Sequence, residues 1–187
     1  MAGMHTALRA VFPALAALVA AGCTARSEPV PPALPTPPQQ VELGWVERTP
    51  PDAPGLVFEV RRFAVTADGW RADVGIRNTS GVPWRLAATG TRMFGLMLFA
   101  TGGLDELERR NGDGDLPGLR SAREIVPALP PVLEPGTHWS GTISAPGTLA
   151  AGRWVRLVFG TLATDDPPPG LRSPYVWITD RALQLRR

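Results

Sequence analysis

The sequence predicts an all-β chain, an immunoglobulin-like antiparallel β-sandwich of about seven short strands set behind a signal peptide and a proline-rich linker. Three observations predict the strands. Short apolar runs, some alternating with polar residues and some continuous, recur from Leu56 to Leu185. Breakers separate them: the chain holds 20 glycines and 21 prolines in 187 residues, too many for a helical bundle. No long stretch repeats its apolar residues at the helical period of about 3.6.

The first segment to justify is the leader. Arg9 is the one charged side chain before an apolar stretch that runs from Ala10 to Ala21. That stretch is too short to cross a bilayer, which takes about 20 residues. It fits the core of a secretory signal ending in small residues, so residues 1–22 are expected to be a signal peptide. Cys23, the only cysteine, follows directly on Leu18-Val19-Ala20-Ala21-Gly22. This sequence resembles the lipobox of bacterial lipoproteins, with Ala20 standing where the commonest pattern has leucine. The resemblance implies that the leader is cut before Cys23, that the thiol receives a diacylglycerol, and that palmitate-like acyl chains complete the anchor. One chain binds a membrane only marginally, whereas two or more attach a protein stably. The expected location is therefore the cell envelope, with acylated Cys23 in a lipid bilayer and the chain facing the periplasm or the cell exterior.

Residues 23–54 read as a tether. Pro29, Pro31, Pro32, Pro35, Pro37 and Pro38 fix φ and remove donors, which favours polyproline II over sheet pairing. At about 3.1 Å per residue, the span from Cys23 to Gln40 holds a domain roughly 50 Å from the lipid. Val41 to Glu47 reads either as an edge strand or as more of this stalk, and Thr49-Pro50-Pro51-Asp52-Ala53-Pro54 closes it.

The expected domain is 55–187. Leu56–Val65 and Trp70–Arg77 flank Ala67-Asp68-Gly69, and Asp-Gly is a strong hairpin signal. In the second run Trp70, Ala72, Val74 and Ile76 alternate with Arg71, Asp73, Gly75 and Arg77, the pattern of a half-buried strand. Phe94–Phe99, Trp139–Ser144, Trp154–Phe159 and Tyr175–Ile178 supply further strands, and Ala182–Leu185 closes the sheet. Leu104–Arg110 reads as a short helical turn, and Glu124–Leu133 holds too many prolines for a central strand. Val74-Gly75-Ile76-Arg77-Asn78-Thr79-Ser80 and Leu133-Glu134-Pro135-Gly136-Thr137-His138-Trp139 resemble the strand-and-turn segments of immunoglobulin-like domains in bacterial surface lipoproteins. The resemblance spans Leu56 to Leu185 and implies a β-sandwich. A single cysteine leaves no disulfide, so tryptophans must fill the core.

Composition excludes several functions. The 19 basic residues are all arginine and face 17 acidic ones; loss of Arg9 with the leader leaves 18 against 17. So even a balance, with no basic run, argues against nucleic acid as a partner. One cysteine and two histidines exclude Cys/His metal clusters. No G-x-S-x-G elbow occurs, and His138 beside Trp139 and Ser140 sits in an extended run whose neighbours point to opposite faces.

Three candidate features remain. Asn111, Asp113 and Asp115 place oxygens at alternate positions, which suits a hard cation. The run resembles the start of an EF-hand loop, but Leu116 replaces the turn glycine and Ala122 the bidentate glutamate. Ca2+ is accordingly the one cofactor the sequence offers, with Asp105, Glu106 and Glu108 as nearby supplementary ligands. Trp84, after a proline at a loop edge, and Trp45, near the stalk, are expected to be exposed binding aromatics, and Trp70 to be core. Together these features predict a non-enzymatic, membrane-anchored envelope lipoprotein that binds an envelope protein or serves as an accessory subunit. The alternatives are a small-ligand or carbohydrate-binding lipoprotein using loop aromatics, and a hydrolase using carboxylates such as Asp165 and Asp166.

Overall fold

The structure is a computed structural model, and it describes residues 33–86 and 94–187. The expected leader, Cys23 and the first part of the linker lie outside the described residues. In chain order the elements are β1 (Gln39–Thr49), β2 (Leu56–Val65), β3 (Gly69–Asn78), β4 (Trp84–Leu86) and β5 (Gly95–Phe99). Helix α1 (Leu104–Asp113) follows, then β6 (Arg120–Ser121), β7 (Glu124–Val126), β8 (Val132–Leu133) and β9 (His138–Pro146). The last strands are β10 (Trp154–Ala163), β11 (Tyr175–Ile178) and β12 (Leu183–Gln184).

The fold is all-β, two antiparallel sheets packed face to face. Sheet 1 runs β1-β2-β3-β9-β7. Sheet 2 is centred on β10. Val158 of β10 pairs with Gly95 of β5 and with Ile178 of β11, and Leu162 pairs with Leu86 of β4 and with Tyr175 of β11. Thus β5 and β4 share one edge of β10, while β11 and β12 share the other. The described residues carry twelve strands rather than about seven, because β4, β6, β7, β8 and β12 are two- or three-residue pieces at sheet margins. Pieces so short leave no periodic signature in a sequence.

The predicted hairpin forms as expected: β2 and β3 pair from Leu56↔Asn78 to Val65↔Trp70. Trp70, Ala72, Val74 and Ile76 are buried against the second sheet, and Arg71 and Arg77 are exposed. Facing them, Val155, Leu157 and Phe159 of β10 and Leu96 of β5 complete one core. Each such side chain contributes about 1.5–3 kcal/mol by leaving water. Asn78 locks the two segments that carried the immunoglobulin-like resemblance: its Nδ2 donates to Val82 C=O (2.8 Å) and Leu133 C=O (2.9 Å), and its main chain bonds Thr137 and Gly136.

The tether boundary moves. β1 pairs with β2 from Gln39↔Val65 to Thr49↔Leu56, so residues 39–49 are sheet and not stalk. A bulge between Glu42 and Trp45, with Gly44 at φ 57°, shifts the alternation midway and blurs the strand in the sequence. The compact unit itself begins at Ala33. Pro35 bridges Ala150, and Thr36 N–H donates to Leu149 C=O at 2.8 Å. The bonds of this bridge come from the residues flanking the proline, Thr36 N–H and Leu34 C=O, so the donor that Pro35 lacks is not needed there.

Candidate functional site: a cleft between the helix and the outer strand

Strand β10 is buried along nearly its whole length, on both faces. Its outer face carries Val158, which packs with Met97 and Phe99 of β5 and with Leu107 of α1 in a second, smaller core. The helix that covers this face follows from its sequence. Asp105 and Glu106 sit in the first turn and Arg110 in the last, each favourable to the helix dipole. Gly114, at φ 71°, closes it in the left-handed conformation, and its N–H donates to Arg110 C=O.

Arg156, also on β10, is fully buried. Its Nη1 donates to Thr179 C=O at 2.7 Å and to Asp180 C=O; its Nη2 donates to Gly102 C=O (2.9 Å) and Gly103 C=O (2.8 Å). The guanidinium also lies 5.5 Å from the Phe99 ring centroid. One side chain therefore ties the loop that leads into α1 to the loop that leaves β11. Burial holds the Arg156 guanidinium below its usual pKa, against the pull of Asp180, Glu47 and Glu106.

Glu47 of β1 supports the same loop from the other side. It accepts Trp177 Nε1–H at 2.8 Å, Asp180 N–H at 3.0 Å and Arg181 N–H at 3.1 Å. Burial pushes its carboxyl above the ordinary range, and the three donors only partly offset this. Tyr175 donates to the Thr49 hydroxyl at 3.0 Å, and burial raises its phenol too.

Between α1 and β11 these supports leave a cleft of about 290 Å³. Leu104, Leu107, Glu108 and Asn111 form the helix wall; Tyr175, Val176, Trp177 and Ile178 form the strand wall. Arg172 and Asp180 stand at either end of the strand wall. Burial raises the Asp180 carboxyl; Arg156 opposes that rise and Glu108 adds to it. The lining mixes apolar side chains with Glu108, Asn111, Arg172 and Asp180, so the cleft offers about as much polar as apolar surface, and its charges can orient what enters.

The expected site residues fare differently. Trp84 is 0% exposed and Trp45 9%, so both tryptophans belong to the main core and neither is a surface aromatic. Trp84 follows Pro83 straight into β4, where its ring turns inward and Nε1 donates to Ser80 Oγ at 3.1 Å. Asn111 and Asp113 lie in the last turn of α1, not in a loop, so their side chains diverge around the helix instead of alternating toward one centre. Asp113 pairs with Arg109 at 3.0 Å, and Asp115 with Arg110 at 3.5 Å. Among the described residues no group of three or more His, Cys, Asp or Glu is disposed around a common metal position. His138 is exposed at the start of β9. Asp165 is exposed and held by both Arg85 nitrogens at 2.8 and 2.7 Å; those bonds keep its carboxyl below the usual range.

Arg156, Glu47 and the Tyr175–Trp177 wall were not singled out by the sequence. The one available signal was an arginine inside the apolar run Trp154–Phe159, where alternation alone assigns it to solvent. No protein-family profile matches this chain, and no curated protein or solved structure is significantly similar to it.

Proposed function

We propose that this chain is a lipid-anchored lipoprotein of the cell envelope, held by acylated Cys23, whose β-sandwich binds a partner protein without catalysing a reaction. The lipobox-like run before Cys23 supports the location. The observation that carries the binding role is the cleft between α1 and β11, which sits on the outermost strand of sheet 2 and is braced from beneath by Arg156 and Glu47. A partner that reaches this rim meets a trough of mixed apolar and charged side chains, and an apolar patch with a polar margin is the anatomy of a specific interface. Tyr175 and Trp177 in the same wall favour, as a second reading, a small apolar or sugar-like ligand.

The test separates the parts of this reading. Membrane fractionation with Cys23→Ala should release the protein, and intact mass of the wild type should show lipid on Cys23. Crosslinking in the envelope should then capture one dominant protein, with Glu108→Lys abolishing the capture and leaving the fold intact. Membrane retention of Cys23→Ala would overturn the anchor. Capture that ignores Glu108→Lys would overturn the cleft.

A further inference from the structure

The described chain begins at Ala33, and the bonds around that point gather arginines which the linear sequence scatters. Ala151 N–H donates to Leu34 C=O and Thr36 N–H to Leu149 C=O, each at 2.8 Å, seating the first segment on the β9–β10 loop. The Thr36 hydroxyl donates to Arg186 C=O at 2.8 Å, and Arg186 N–H donates to Gln39 Oε1 at 3.4 Å. Gly152 N–H bonds Leu185 C=O, and Leu185 N–H bonds Arg153 C=O. Arg120 reaches the same loop, with Nη1 donating to Thr148 C=O at 3.0 Å.

Arg120, Arg153, Arg186 and Arg187 are thus brought to one end of the sandwich, and all four are exposed. Among the described residues none of them pairs with a carboxylate. Leu34, 78% exposed, stands among them and is the most exposed large apolar side chain among the described residues. Asp68, whose carbonyl accepts Gly147 N–H, is the acidic residue bonded to this loop; Glu42 and Glu106 are engaged by Arg62 and Arg110. Guanidinium forks match phosphate geometry, and a basic cluster around an exposed apolar side chain is the composition of a membrane-surface contact.

We propose that this end of the sandwich, Arg120, Arg153, Arg186 and Arg187 around Leu34, lies against the anionic phosphate headgroups of the bilayer. Its orientation rests on the reading of Cys23 as the anchor. Ten residues, Cys23 to Pro32, precede Ala33, so the arginine-bearing end stays within about 35 Å of the lipid even at full extension. The linker then works as a short leash that presents the basic end first.

The experiment uses the chain from residue 23 onward with Cys23→Ser, which keeps the whole compact unit from Ala33 and removes any acyl contribution. It is sedimented with vesicles of equimolar phosphatidylglycerol and phosphatidylcholine, and with phosphatidylcholine alone. Binding to the anionic vesicles only, weakened by salt, is expected. Each of Arg120→Gln, Arg153→Gln, Arg186→Gln and Arg187→Gln should lower the partition coefficient about fivefold. Leu34→Asp should lower it further, and Arg77→Gln, on the exposed face of β3, should leave it unchanged. All these positions are exposed, and circular dichroism confirms the fold of each variant. Absence of binding, equal binding to both vesicles, or a fourfold arginine variant that binds as the wild type would overturn the proposal. Vesicle binding without lipid on Cys23 in cells would remove the anchor and leave this surface standing; lipid on Cys23 without vesicle binding would do the reverse.

Discussion

On sheet 1, β3 turns Arg71 and Arg77 to solvent, while on sheet 2 the corresponding outer face of β10 places Arg156 and Val158 beneath helix α1. The two central strands have the same antiparallel pairing and the same length, yet one is half-buried and the other covered on both sides. An arginine on the first is a solvated charge. An arginine on the second must find protein acceptors, and Arg156 finds four carbonyls. The difference teaches where this molecule concentrates its structural commitments: the open sheet supplies a stable base, and the covered sheet holds the helix, the brace and the cleft.

The contrast should break most sharply at Arg156. Arg156→Ala leaves the carbonyls of Gly102, Gly103, Thr179 and Asp180 without their donor, and should cost about 3 kcal/mol or more in urea unfolding. Arg71→Ala, on the open face, should change stability by less than about 0.5 kcal/mol. Equal effects would mean that α1 does not cover β10 as described. Next comes Leu107→Ala, which empties the contact between helix and sheet and should cost about 2–3 kcal/mol. Hydrogen exchange should then rise in α1 and β11 while β2 and β3 stay protected.

A smaller effect is expected at Glu47, and it depends on pH. Burial raises its carboxyl in the folded state above the ordinary 4.5. The folded protein therefore binds a proton more tightly than the unfolded chain, so this contribution is present at low pH and is lost as pH rises through the folded value. The stability of the wild type should decline with pH across that window on account of this group, and Glu47→Gln should flatten that part of the profile. An unchanged profile would contradict the buried position. The smallest effect belongs to Asp165→Asn: its pair with Arg85 is solvent-exposed and screened, so its loss should leave the urea unfolding midpoint essentially unchanged.

The same contrast explains what was legible in the sequence. Trp70, Ala72, Val74 and Ile76 could be placed in the core because solvent on the far side of β3 enforces alternation. In β10 both faces are buried, alternation disappears, and Arg156 looks like any outward-facing charge. Trp84 and Trp45 were misplaced for a related reason: proximity to prolines marks a chain reversal but does not say which way a ring turns after it. The Asn111–Asp115 run carries two glycines and so reads as a loop; the ion pairs Glu106–Arg110 and Arg109–Asp113, each four residues apart, support the helix into its first three residues, as far as Asp113. The cleft joins residues about 70 apart in sequence, and only the pairing of β11 with β10 brings them together.

The most direct test of the account places a photoreactive side chain at Glu108 in the cleft and, in a second protein, at Arg71 on the open face of sheet 1, and compares what each captures in the intact envelope. The account predicts one dominant protein crosslinked from position 108 and nothing comparable from position 71. Capture of the same protein from position 71, with none from position 108, would contradict it.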